Sequence, residues 1–129
     1  MRVSLSTVIT AGGDRELIFT GLTITFLKEF GAGLWLTLPL LLTLTAAITL
    51  LGQFVGRREG WSSFDSFYWS FITATTVGYG DLRPATNSSK IAAIMIALFG
   101  LTFTGILIAV GVHAATLALA AHDAAAKVR

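Results

Sequence analysis

The run Thr73-Ala74-Thr75-Thr76-Val77-Gly78-Tyr79-Gly80-Asp81 is the part of this 129-residue chain whose residue types could do chemistry, and that chemistry would come from the backbone. Successive carbonyls of an ordinary strand point to opposite sides. Residues that alternate between right-handed and left-handed conformations can aim every carbonyl the same way, and glycine enters the left-handed region at little steric cost. Gly78 and Gly80, spaced by two, permit that alternation from Thr76 to Gly80. The expected product is a stack of oxygens: the Thr76 hydroxyl and carbonyl, then the carbonyls of Val77, Gly78 and Tyr79. Rings of such oxygens can replace the hydration shell of a cation. One chain supplies only part of a ring, so a closed site calls for several copies around one axis.

Such a segment has to be held by something, and its neighbours define what. Hydrophobic residues make up 54% of the chain and charged residues only 12%, with a mean hydropathy of +0.78. A soluble domain usually carries about twice that charged share. Gly31 to Val55 contains no formal charge, and neither does Ile91 to Ala121 with neutral histidines. Roughly 20 apolar residues cross about 30 Å of hydrocarbon, so both runs are long enough to span a membrane. Between them, Ser62 with Asp65 three residues later marks a helix start. Phe64, Phe67, Tyr68 and Phe71 then recur at helical spacing, with Trp69 and Ile72 widening the apolar face. This helix, residues 63–74, is about half a bilayer long, so it enters without crossing. Non-helical backbone at membrane depth is tolerated only where it is buried in protein or lines a water-filled path. The order is therefore span, half-helix, glycine-containing extended segment, span.

The rest of the chain is less informative. Residues 1–32 read as an interfacial segment. Ile18, Leu22, Phe26 and Phe30 recur every fourth residue, favouring a helix that ends near Lys28-Glu29, while the alternation of Leu22 to Phe26 and a turn at Ala11-Gly12-Gly13-Asp14 leave a hairpin open. The first ten residues lack the apolar core and cleavage site of a signal peptide. Pro39 falls in the first turns of a span running over 33–55, where its missing N–H costs least, and Trp35 suits an interfacial anchor. Gly56 to Gly60 is expected to form a charged turn. Asn87-Ser88-Ser89 is expected to cap a second span over 89–121 rather than to accept a glycan. Residues 123–129 read as a short tail. There is no cysteine, hence no disulfide or thiolate metal site. Nine basic against seven acidic residues, without a basic cluster, give no ground for a nucleic-acid partner.

The stretch "TTVGYGD", with the aromatic half-helix before it and "DLRPAT" after it, resembles the selectivity filter of potassium channels. With both spans included, the resemblance covers about residues 33–121 and is to the two-helix, pore-only bacterial type. It implies an all-α membrane protein: outer helix 33–55, pore helix 63–74, filter 75–81 and inner helix 89–121, assembled as a tetrameric pore in a channel domain of residues 33–122. Thr75, Thr76, Val77, Gly78, Tyr79 and Gly80 would line the filter, with dehydrated K+ held at Thr76, Val77, Gly78 and Tyr79 and Gly80 closing the outer mouth. Phe67, Tyr68 and Trp69 would brace the filter, and Asp81 would accept a hydrogen bond from Tyr68 or Trp69. Some family members carry a Glu four residues before the signature Thr. Ile72 stands there in this chain, so an Asp–Glu proton-sharing pair is unavailable.

In the inner helix, Gly100 lies where many relatives have a hinge glycine, with a simple packing glycine as the competing reading. Thr104, Ile108, Val112 and Thr116 recur every four residues on one face. Ile108 and Val112 would form a constriction that closes by dewetting, with a lipid- or helix-facing stripe as the competing reading. His113 beside it offers a pH-sensing hypothesis, which an unchanged pH response in His113→Ala would end. The resemblance also puts both termini on the cytoplasmic side of a cell membrane, with lipids and K+ as partners and no cofactor. A less selective cation channel and a non-conducting assembly subunit are the competing functions. No cluster of nucleophile, base or metal ligands speaks for an enzyme, and no helix with Arg at every third residue supplies a voltage sensor.

Overall fold

The structure is a computed structural model that describes the backbone of residues 5–127 and the side chains of residues 18–127. The described residues form three helices and no strand: α1 (Leu5–Glu59), α2 (Ser63–Ala74) and α3 (Asn87–Lys127). The ends of the expected terminal segments, residues 1–4 and 128–129, lie outside the described residues. Two stretches, Ile18–Glu59 and Asn87–Lys127, are long and apolar enough to cross a membrane. At 1.5 Å per residue they reach about 63 and about 61 Å, roughly twice the hydrocarbon thickness.

α1 departs from expectation at both ends. It runs without interruption through Lys28-Glu29, where a separate interfacial helix was expected to stop. Charged side chains on a helix leave its backbone hydrogen bonds intact, so they are weak stop signals. The hairpin at Leu22 to Phe26 is also absent. Thr23 and Thr25 instead turn their hydroxyls back onto the carbonyls of Phe19 (2.8 Å) and Gly21 (3.0 Å), as helical threonines do. The every-fourth-residue apolar face is real: the rings of Phe26 and Phe30 stack at 5.6 Å. At the other end, the helix continues through Arg57 and Arg58 to Glu59, and the expected five-residue turn shrinks to Gly60. That glycine adopts a left-handed φ of 76°, and Trp61 N–H donates to the Gly56 carbonyl at 2.9 Å, closing the helix with a Schellman-type cap.

The chain divides into two compact units. The first joins the N-terminal stretch up to Leu36 with the segment from Ala109 onward. Here Gly33 lies against Val110, where an added Cβ would come within 2.7 Å of Val110 Cγ1. Ala114 and Ala118 are buried in the same unit.

The second unit, Thr37–Ile108, contains the half-helix and the extended segment. Its core is Ile48, Val55, Trp69, Ala74, Ala92 and Ile96. Lipid is as apolar as these side chains, so the contacts stabilise through close packing and hydrogen bonding more than through removal from water. The closest seam joins α1 to α2. Gly52 and Gly56 face Ser70 and Ser66, so that a Cβ on Gly52 would sit 2.7 Å from Ser70 Oγ and 2.9 Å from the Ser66 carbonyl. Both serines are buried, and their hydroxyls are satisfied by the carbonyls of Ser62, just before α2 (2.7 Å), and Phe67 (2.8 Å).

α3 starts two residues before the expected position. Thr86, rather than Asn87-Ser88-Ser89, supplies the cap: its hydroxyl oxygen accepts from Ser89 N–H at 3.4 Å and its carbonyl from Lys90 N–H at 3.0 Å.

Candidate functional site

α2 aims its C-terminal end at the start of the extended segment. Its start is set by Ser62, whose side chain accepts from Asp65 N–H at 3.1 Å and donates to Asp65 Oδ2 at 2.8 Å. The twelve residues Ser63–Ala74 cover about 18 Å and leave the last carbonyls of the helix, its partial negative pole, beside residues 75–78. Those carbonyls gather in the amides that follow. Thr75 N–H donates to Phe71 O (2.9 Å), Thr76 N–H to Thr73 O (3.1 Å), and Val77 and Gly78 N–H both to Ile72 O (2.9 and 3.1 Å). The Thr75 hydroxyl also turns back to Phe71 O at 2.7 Å, so this side chain supports the segment and is not offered to an ion.

Beyond the helix, the left-handed region is occupied at every second residue: Thr76 (φ 62°), Gly78 (φ 52°) and Gly80 (φ 78°). The glycines fall where the spacing placed them, and Thr76 extends the alternation without being a glycine. The carbonyls of Thr76, Val77, Gly78 and Tyr79 accept no hydrogen bond among the described residues. N–H groups are thus tied to the helix on one side, while the carbonyl oxygens stay available. Val77 and Tyr79 are 51% and 71% exposed in the single chain.

The aromatic brace separates into three roles. Trp69 is buried in the core and meets Trp61 edge-on at 5.3 Å, so it anchors α2 to its own chain. Tyr68 lies close enough to Asp81 for its phenol to feel the carboxylate, and close enough to Tyr79 to feel that side chain as well. Phe67 packs against Phe71 at 4.6 Å and remains 44% exposed.

Gly100 of α3 lies against the last residue of α2. A Cβ there would collide with the Ala74 carbonyl, so this close approach by itself accounts for the glycine. Thr104, Ile108, Val112 and Thr116 are all exposed, as is His113. The Thr116 hydroxyl is bonded to Val112 O at 2.9 Å.

Three features escaped the sequence reading. The Gly52/Gly56 seam with Ser66/Ser70 had a signal in its small-residue spacing of four. Glu59 had none, because its partners are 26 and 27 residues away: Oε2 accepts from Ala85 N–H (3.0 Å), and Oε1 from Thr86 N–H (3.2 Å) and the Thr86 hydroxyl (2.9 Å). This carboxylate clamps the segment leading into α3, and Arg58 adds a bond from Nη1 to Ser88 Oγ at 3.0 Å. Arg83 was counted only as a charge, yet its Nε donates to the Gly80 carbonyl at 2.8 Å.

A span–half-helix–extended segment–span arrangement with free carbonyls defines a channel pore. Comparison with known proteins agrees: the family model described as "Ion channel" matches residues 34–116, and the chain belongs to that family. Among its relatives, the TWiK family of potassium channels protein 7 of Caenorhabditis elegans is 42% identical over 70 residues, covering 54% of this chain and 12% of that protein. A voltage-gated potassium channel of Aeropyrum pernix is 47% identical over 47 residues, covering 36% and 16%. The mouse potassium channel, subfamily K, member 16, is 37% identical over 86 residues, covering 59% and 29%. The chain therefore spans less than a third of the length of each of these curated relatives. They support the resemblance to potassium-channel pore domains, but none is bacterial, so the bacterial type falls outside what they show. No solved structure matches.

Proposed function

We propose that this membrane protein is the subunit of a homotetrameric channel that conducts dehydrated K+ selectively and passively. The observation that carries this reading is the left-handed backbone at Thr76, Gly78 and Gly80, with the amides of Thr75 to Gly78 tied to the end of α2. That alternation turns the carbonyls of Thr76 to Tyr79 to a common side, and four chains around one axis give a stack of oxygen rings. The Thr76 hydroxyl, which makes no hydrogen bond within the described chain, adds the innermost ligand. The partial negative charge at the end of α2 favours a cation on the approach to Thr76. Tyr68, through Asp81, and Trp69, through the core, keep the ring diameter fixed, so that oxygens spaced for K+ do not collapse onto a smaller ion. Gating belongs to the exposed face of Thr104, Ile108, Val112 and Thr116 in this reading, and both termini are cytoplasmic.

Reconstitution into liposomes under opposed K+ and Na+ gradients tests this. The reversal potential is expected to follow the K+ gradient. Equal permeability to Na+ would establish the less selective cation channel instead, and absence of any flux would establish the non-conducting subunit.

A further inference from the structure

Arg83 carries an interaction at the end of the extended segment that the conduction mechanism does not use. Its Nε donates to the Gly80 carbonyl at 2.8 Å, and its guanidinium packs over Gly80, with Nη2 3.4 Å from where a Cβ on that glycine would be. A guanidinium is charged at every accessible pH. Arg83 is exposed and has no carboxylate within ion-pair distance among the described residues. Glu59 is engaged with Ala85 and Thr86 instead. A positive charge is therefore fixed on the last carbonyl of the filter.

We propose that Arg83 is an electrostatic entry barrier at the outer mouth, which lowers the rate at which cations enter from that side while leaving exit from the inner side little affected. The inference rests on the channel reading. In a fourfold assembly the four guanidiniums form a ring around the path of the ion. The bond to Gly80 does two things: it holds the charge on the rim, and it withdraws the outermost carbonyl from competing for the ion. Fixed charge at a mouth acts on entry by changing the local concentration of the permeant ion, and it is screened by salt. Current in symmetric solutions should therefore be asymmetric, weaker when K+ enters past Arg83, and the asymmetry should fade as ionic strength rises.

The test is single-channel recording of the full chain in planar bilayers with symmetric KCl, at about 0.01 M, where the screening length is about 30 Å, and at about 1 M, where it is about 3 Å. Wild type should show asymmetric current at the low concentration and much less at the high one. R83Q should raise the weaker current about three- to tenfold at low salt and leave currents at high salt unchanged. R83K, which keeps the charge but loses the Nε bond that holds it on the rim, should retain most but not all of the wild-type asymmetry. A wild-type asymmetry indifferent to salt, an R83Q channel with wild-type asymmetry, or an R83K channel that behaves as R83Q would each overturn the proposal. Absence of K+ conduction by wild type would overturn the channel reading itself, a separate result.

Discussion

Thr76 takes a left-handed φ of 62° without being a glycine. For an L-residue that conformation costs roughly 1–2 kcal/mol, and it persists only where the surroundings over-determine it. Here the surroundings are the amides of Thr75 to Gly78, each donating to a carbonyl in the last turn of α2. Gly78 has open space around it, so a methyl group would meet no neighbour, but its φ of 52° would be strained for any side chain. Gly78→Ala should therefore distort the carbonyl alternation without unfolding the chain. The expected outcome is a fall of about tenfold in the K+/Na+ permeability ratio, the equivalent of about 1.4 kcal/mol, with the melting temperature little changed. Glu59 acts at the same scale through backbone partners. Glu59→Gln replaces a charged acceptor by an amide that turns one donor toward other donors, so residues 85 and 86 should exchange their amide hydrogens faster. Equal protection in the two proteins would show that the clamp is dispensable.

At the scale of elements, α2 is positioned by shape more than by polar bonds. Gly52 and Gly56 admit Ser66 and Ser70 on one side, and Gly100 admits the Ala74 carbonyl on the other. The two contacts differ in how they can yield. Gly56→Ala meets the Ser66 side chain and should destabilise by about 1–3 kcal/mol as an overpacked contact, and adding Ser66→Gly should recover part of the loss in thermal melting. Gly100→Ala meets backbone, so the C-terminal end of α2 must move, and conduction should fall more than stability does. If Gly100→Ala conducted normally, the close approach would be ruled out as a support of the filter. The limits of α2 were legible because Ser62, Asp65 and the aromatic spacing are local signals. The alternation at Gly78 and Gly80 was legible because glycine spacing reports backbone conformation directly. The continuity of α1 was not, since Lys28-Glu29 and Gly31 look like punctuation while helix packing overrides their modest propensity cost. The Glu59 clamp depends on a return of the chain that no local pattern announces.

For the whole molecule, the proposed assembly must cover the carbonyls of the extended segment. Val77 and Tyr79 are exposed beside free carbonyls, and Ile108 and Val112 are each 61% exposed on α3. Neighbouring copies would cover the first pair, which gives a direct expectation: the detergent-solubilised protein should have the mass of four chains, and Val77 and Tyr79 should resist modification or exchange until the assembly is dissociated. A monomer or dimer that conducts would contradict this. The central claim is sharper still, because it places particular atoms on an axis. Diffraction or cryo-electron microscopy of the assembled protein in Rb+, with anomalous scattering or density to mark the ion, tests it most directly. The account predicts ions on a fourfold axis, level with the carbonyls of Thr76, Val77, Gly78 and Tyr79. Carbonyls turned away from the axis, or copies that share no axis at these residues, would contradict it.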